Sequence, residues 1–287
     1  MTRLSKKVGF IGAGNMAEAM IHGLIKSALC EPGQIWASDI RVARLRQLKD
    51  TYQIHGTEDN TDVFEKGDVV VLAVKPQHMD EILDHLSRTF PRTIKGVKVI
   101  ISIAAGFPIA RIEKHLYQNL DESFKGLLPI VRVMPNTPAL VLAGMAGMSG
   151  NAYVGESDLN VARAILTAIG RVIEFEEKDL DTVTALSGSG PAYVFYVIEA
   201  LVEAGAGLGL RPSHALRLTL ETIKGSVKLL EETGEAAASL RKKVTSRGGT
   251  TEAALHVLDR QGVKGYFMDA VQAAAERSKA MSESDWK

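Results

Sequence analysis

The hydrophobic period of this chain changes once, near residue 176, and that change governs what it can fold into. Up to about Phe175, short runs rich in β-branched residues alternate with amphipathic stretches, and "KVGFIG", "QIWASD", "DVVVLAVK", "KVIISIAAG", "IVRVMPN" and "RVIEFE" read as strands. Several have continuously apolar cores, the pattern of strands buried on both faces in a parallel sheet. Segments between them carry helical spacing: in Ser157 to Gly170, the residues Leu159, Ala162, Ile165, Leu166 and Ile169 share a face behind Ser157 as expected N-cap. From about Lys178 strand signals stop. Pro191 suits the first turn of a helix, and after Ser213 the residues Leu216, Leu220, Ile223, Val227 and Leu230 form a stripe at steps of four and three. The expected architecture is an α/β Rossmann-like, doubly wound sheet over residues 1–176, followed by an all-α dimerisation domain over 177–287.

Composition narrows the function classes. The chain has 287 residues, enough for two cores, with 34 Lys+Arg against 34 Asp+Glu and no local excess of one sign, which argues against a nucleic-acid partner. One cysteine, Cys30, makes no internal disulfide, and the seven histidines lack ligand spacing, so no metal site is expected. The start "MTRLSKKVGFIG" carries no apolar leader core, which predicts a cytoplasmic protein. The longest apolar run, Pro191 to Leu210, contains Glu199, Glu203 and three glycines and reads as a buried helix rather than a bilayer span. Its apolar residues and the stripes nearby exceed what roughly a hundred residues bury alone, so a homodimer through this half is expected.

"VGFIGAGNMAEAM" sets Gly12, Gly14 and Ala17 in the pattern G-x-G-x-x-A between a strand and a helix. Gly12 permits the tight turn, Gly14 the approach of a pyrophosphate, and Ala17 close packing of helix on sheet, with the phosphates meeting the helix N-terminus. Asp39 ends the second strand, where an acidic residue accepts from the adenosine 2′-hydroxyl and favours NAD. Arg41 and Arg44 follow, as partners for a 2′-phosphate; the alternative has Asp39 capping a helix and the arginines solvated. "LAVKP" (72–76) and "SIAAG" (102–106) end the next two long strands and should line the same groove, with Lys75 facing phosphate, facing substrate or simply solvated. In "MPNTPA", Asn136 and Thr137 stand between prolines, either presented to the nicotinamide or forming an ordinary turn.

A second glycine pair interrupts the helical half. In "VTSRGGTTEAAL" the pair Gly248-Gly249 frees the backbone, Thr250 or Thr251 can cap, and Glu252 resumes a helix. A helix N-terminus flanked by the hydroxyls of Ser246, Thr250 and Thr251 suits a carboxylate. The competing reading is a capped break whose dipole Glu252 already complements.

The chain resembles the pyrroline-5-carboxylate reductases over essentially its whole length: "FIGAGNMA", "AVKP", "SIAAG", "MPNTPA", "LSGSGPAYVF" and "VTSRGGTTEAA" occur in that family's order and at similar spacing. The resemblance implies NAD(P)H-dependent reduction of 1-pyrroline-5-carboxylate to L-proline, the last step of proline synthesis, usually with NADPH. By similarity, Gly12, Ala13, Gly14, Asn15, Met16, Asn60, Ala73, Val74, Lys75, Pro76, Ile103, Ala104 and Ala105 contact the cofactor; Asp39 and Arg41 are cofactor candidates from their position after the second strand, not from the resemblance. Ser246, Gly248, Gly249, Thr250 and Thr251 hold the substrate, with Thr251 the catalytic candidate at the ring nitrogen. The resemblance also implies dimers interlocked through the helical domains, the substrate loop of one subunit facing the cofactor of the other, and larger rings up to a decamer of five dimers. Two residues depart from the family: Arg247 stands where proline is common, and Asp39 is unusual for an NADPH-preferring member, which leaves NAD open as cofactor.

Other readings compete. A β-hydroxyacid dehydrogenase shares "SGSG" but places a catalytic lysine in the following helix, and Tyr193 to Glu203 contains none. A related imine reductase would need the same hydride geometry. A non-catalytic dinucleotide sensor would have little use for the hydroxyl-rich loop.

Overall fold

A computed structural model describes residues 3–89 and 96–283. Among these, strands β1 (Val8–Ile11), β2 (Ile35–Ser38), β3 (His55–Thr57), β4 (Val69–Leu72), β5 (Val99–Ser102), β6 (Ile130–Met134), β7 (Gly144–Gly150) and β8 (Gly170–Glu174) form one sheet. Its order is β3-β2-β1-β4-β5-β6-β7-β8. All neighbours run parallel except β6 and β7. Helices α1 (Asn15–Lys26), α2 (Val42–Tyr52), α3 (Asn60–Lys66), α4 (Met79–Thr89), α5 (Ile109–Leu116), α6 (Glu122–Lys125) and α7 (Glu156–Thr167) supply the connections.

The residues of β1, β4 and β5 are buried throughout, as expected of continuously apolar strands sandwiched between helices. Two cores result. One joins Phe10, Val71, Ile101 and Val133 to Met20 and Leu24 of α1 and Ile165 of α7. The other joins Ile11, Val70 and Ile100 to Leu83 and Leu86 of α4 and Ile112 of α5. The alternation within each strand thus sends successive residues to opposite layers. Two strands differ from expectation in having been unforeseen. β3 is only three residues long, and β7, "GMAGMSG", has no β-branched residue and is held by pairing to β6 and β8. The expected cap Ser157 is instead inside α7, which starts at Glu156: the N-cap is Gly155, whose N–H donates to the Asp158 carboxylate at 3.0 Å. Cys30 is 3% exposed, and desolvation, partly opposed by the Arg3 charge, pushes its thiol up to about 11, so it is packing rather than a nucleophile.

Contacts divide the chain into a first unit of residues 1–189 with 274–287 and a second of residues 190–273. This division falls later than the change of hydrophobic period and returns the chain's last segment to the first unit. Arg132 of β6 supplies much of the reason. Its side chain is 6% exposed, donates to Glu177 at 3.1 Å and lies 3.6 Å from Asp181 in α8 (Leu180–Val183). Glu177 also accepts from the Ile109 amide at 2.7 Å, and Asp181 from the Ser278 hydroxyl at 2.7 Å. A buried cation on a strand therefore gathers segments before and after the second unit. Arg132→Ala leaves two partly buried carboxylates without their cation and is expected to lower unfolding free energy by about 2–3 kcal/mol, below the fully buried case because both acids reach solvent. Urea unfolding measures this; an unchanged midpoint would show that water replaces the guanidinium.

The second unit is helical: α9 (Gly190–Gly207), α10 (Pro212–Thr233), α11 (Ala237–Lys243), α12 (Thr250–Arg260) and the first half of α13 (Val263–Glu283). Ala215 and Thr219 of α10 are buried. The helix expected to be buried is not: no residue of α9 is buried in the single chain, and Phe195 and Tyr196 are 64% and 71% exposed. Leu216, Val227 and Leu230 of the α10 stripe are also exposed. The segment Glu177–Gly207 is long and apolar enough to cross a membrane by length and composition, but such a helix equally awaits protein cover.

Candidate active site

The groove of the first unit lies past the carboxyl ends of β2, β1, β4 and β5. Ser38, Ile11, Leu72 and Ser102 stand in register at those ends, so Asp39, Gly12, Ala73 and Ile103 follow at one level. Three strand spacings of about 4.8 Å separate the outer two, roughly 14 Å, a length suited to a dinucleotide. The order of connection reverses between β1 and β4, where open α/β sheets bind ligands.

Local geometry fits a nucleotide there. Gly12 has φ +92°, and a Cβ on it would lie 2.8 Å from the Ala73 carbonyl oxygen and from Val74 Cγ1. Only glycine takes this conformation and this contact without strain. Gly14, the N-cap of α1, has no protein atom within 4 Å of its would-be Cβ. No side chain caps that helix, leaving its first-turn N–H groups for an anion. Ala17 is 1% exposed, packed as a close helix contact requires. Asn60 opens α3 and accepts from the buried Ser38 hydroxyl at 2.7 Å, which fixes its amide beside the end of β2. Ala73, Ile103 and Ala105 are half-buried along the groove, Ala104 is buried, and Lys75 is exposed before the turn Pro76–His78.

Past the end of β2 the two arginines have different circumstances. Arg44 is 12% exposed in its side chain and donates to the Ala13 carbonyl at 2.7 Å and to Glu18 at 2.5 Å, pinning the glycine turn. Arg41 is 61% exposed and grips Asp39. Burial raises the Asp39 carboxyl, but hydrogen bonds from the Arg41 side chain and from the Arg41 and Ala13 amides outweigh it and hold the group below the usual carboxylate range. Asp39 is not the cap of α2, whose N-cap is Arg41.

In the second unit, the loop before α12 has Gly248 at φ +71° and Gly249 as N-cap. A Cβ on Gly249 would meet the Ser246 hydroxyl oxygen at 2.5 Å, so this glycine lets that hydroxyl lie against the helix start. Neither threonine caps: Thr250 is already the first helical residue and no side chain caps the helix. The physical reason is that Gly249 itself supplies the extended cap conformation and its carbonyl accepts from the Ala253 amide at 3.2 Å. Glu252 accepts from the Gly248 amide at 2.6 Å, tightening the turn from below.

Residues 177–281 match the family model for pyrroline-5-carboxylate reductase dimerisation, and residues 7–106 match that of the coenzyme F420-dependent NADP oxidoreductases. A pyrroline-5-carboxylate reductase of Corynebacterium melassecola is 39% identical over 276 residues, spanning 96% of this chain and 98% of that one. This chain belongs to the pyrroline-5-carboxylate reductase family. The solved reductase of Coxiella burnetii is 36% identical with a TM-score of 0.85, covering 98% of this chain and 100% of that one. The reductase of Plasmodium falciparum, solved with NADP bound, is 32% identical with the same TM-score and the same coverage.

In this member of the family the "MPNTPA" motif serves the scaffold through Asn136. Its amide nitrogen donates to the Ser187 carbonyl and hydroxyl oxygens, each at 3.2 Å, and its carbonyl oxygen accepts from the Met145 amide at 2.8 Å. The side chain is therefore committed to joining β7 to the π-helical turn Thr184–Gly188, not presented to a ligand. Sequence reasoning also passed over Arg132; a lone charge inside the apolar run "IVRVM" was the available signal, since a charge on a buried strand must find carboxylates.

Proposed function

We propose that this chain reduces 1-pyrroline-5-carboxylate to L-proline with NAD(P)H, NADPH being the expected cofactor, as the last step of proline biosynthesis. The observation that carries this reading is family membership over almost the whole chain together with a hydroxyl-flanked glycine turn opening α12. The fingerprint residues Gly12 to Met16 hold the pyrophosphate, Asn60 and Arg41, with Asp39 beside them, the adenosine end, and Ala73 to Pro76 with Ile103 to Ala105 the nicotinamide half. The cofactor supplies a hydride from C4 of its nicotinamide ring.

Residues 177–287 serve as the substrate-binding and dimerisation domain. The Ser246 hydroxyl and the first-turn amides of α12 at Thr250 and Thr251 hold the substrate carboxylate on the turn that Gly248 and Gly249 shape, because a helix N-terminus and a short donor favour an anion over water. Thr251 accepts a hydrogen bond from the protonated ring nitrogen. A protonated imine is already electrophilic, so the residues mainly orient the imine carbon; such positioning supplies several kcal/mol of barrier reduction. A threonine hydroxyl is a poor acid, which makes positioning its role rather than proton donation.

The test mixes protein, pyrroline-5-carboxylate and NADPH and follows nicotinamide absorbance, then repeats with NADH. Oxidation dependent on the imine is expected; none with either cofactor would favour a dinucleotide sensor. The protein is cytoplasmic on this reading, and the bare apolar faces of α9 and α10 are covered by a second copy. Sedimentation should accordingly give a mass of at least twice 31.0 kDa, up to a decamer of five dimers. Phe195→Glu, placing a charge on that face, should shift the protein toward monomer; a wild-type monomer would refute the assembly.

A further inference from the structure

We propose that Asp39 is a positioning residue for Arg41, holding the guanidinium to receive a 2′-phosphate, so that selectivity for NADPH depends on an acidic residue ordinarily associated with NADH. This rests on the dinucleotide-dependent reading above and assigns how the cofactor is chosen.

A carboxylate has about four acceptor positions, and in Asp39 all of them are in use. One oxygen accepts from the Arg41 backbone N–H and from its Nε, both at 2.9 Å. The other accepts from the Ala13 N–H and from Arg41 Nη2, both at 3.0 Å. Its side chain is 9% exposed. A ribose hydroxyl seeking this carboxylate must therefore displace the amide of the glycine turn or one arm of the guanidinium.

The cation has capacity to spare. Of five guanidinium N–H groups, Arg41 uses one on Nε and one on Nη2 for Asp39, which leaves the Nη1 pair and the second Nη2 hydrogen. The exposed member of the pair is thus the arginine, at 61% against 9%. Because the fork is already fixed at one edge, little side-chain freedom remains to be lost when the other edge meets a phosphate dianion. Arg44, the other candidate for this role, is spoken for: beyond Ala13 and Glu18 it donates to Gln47 at 3.0 Å and to the Gly14 carbonyl at 3.4 Å. The acid therefore acts twice, bracing the glycine turn through Ala13 and the phosphate ligand through Arg41.

Dissociation constants for NADPH and NADH, measured by nicotinamide fluorescence on the full chain, test this without turnover. Wild type should prefer NADPH. Arg41→Ala should weaken NADPH about 30-fold, the scale of charge-assisted hydrogen bonds, and NADH by less than about threefold. Asp39→Asn, which keeps a carbonyl acceptor for the Ala13 amide but releases the guanidinium, should weaken NADPH about 5- to 10-fold and leave NADH nearly unchanged. If Asp39 instead receives the ribose hydroxyls, the sign reverses: Asp39→Asn weakens NADH and strengthens NADPH, and the proposal fails while cofactor dependence stands. Binding of neither dinucleotide to the wild type would sink both.

Discussion

Gly12→Ala is expected to cost cofactor affinity and fold stability together, whereas Gly14→Ala costs affinity alone. The two glycines sit two residues apart in one motif, yet their surroundings differ. A methyl on Gly12 lies within 2.8 Å of the Ala73 carbonyl oxygen, which belongs to the neighbouring strand end and has little room to retreat. The φ of +92° adds strain of its own, and together these should destabilise the chain by about 2–4 kcal/mol. At Gly14 the backbone is extended, at φ −70° and ψ −175°, and the methyl meets no protein atom within 4 Å. That space is the one the proposed pyrophosphate site requires. NADPH affinity should therefore fall about 100-fold, near 3 kcal/mol, while thermal unfolding stays within about 2 °C of wild type. Titration and a melt on each variant decide the matter; a Gly14→Ala protein that binds NADPH normally would remove the fingerprint from the cofactor site.

Thr251→Ala should lower kcat/KM about 10- to 100-fold, the worth of a hydrogen bond to a charged nitrogen. Thr251→Ser should restore most of it, since the hydroxyl and not the methyl is engaged. Thr251→Val, matched in shape, should behave like alanine. Among the described residues neither Thr250 nor Thr251 spends its hydroxyl on capping α12, so the melting temperature should barely move. Equal rates for wild type, valine and alanine variants would take Thr251 out of the reaction, leaving the backbone turn to act alone.

The parts of this protein legible from residue order are those where one physical requirement dominates. Val69 to Leu72 and Val99 to Ser102 read as strands because both faces are buried and only apolar, largely β-branched residues suit that. The glycine fingerprint was legible for a similar reason: a left-handed turn and a close contact narrow the choice at Gly12 to one residue. Where pairing partners decide, pattern fails. β7 carries three glycines in seven residues and is a strand only because β6 and β8 flank it. Asn136 between two prolines looked like a presented side chain, and only its distant partners Met145 and Ser187 reveal a staple. Asp39, Arg41 and Arg44 could be placed past the second strand by position but not told apart, because their roles follow from which partners each has already claimed. The apolar character of α9 was plain, whereas its exposure in one chain depends on what a second molecule covers.

The return of residues 274–283 to the first unit bears on how the polypeptide acquires its form during synthesis. Multidomain chains commonly complete their N-terminal portion while translation continues. Here Ser278 and Ser282, which satisfy Asp181, leave the ribosome only after all of the helical unit has emerged. Completion of the nucleotide-binding half therefore awaits residues 274–283, and a nascent chain arrested at residue 273 would carry a complete fingerprint on an unfinished scaffold.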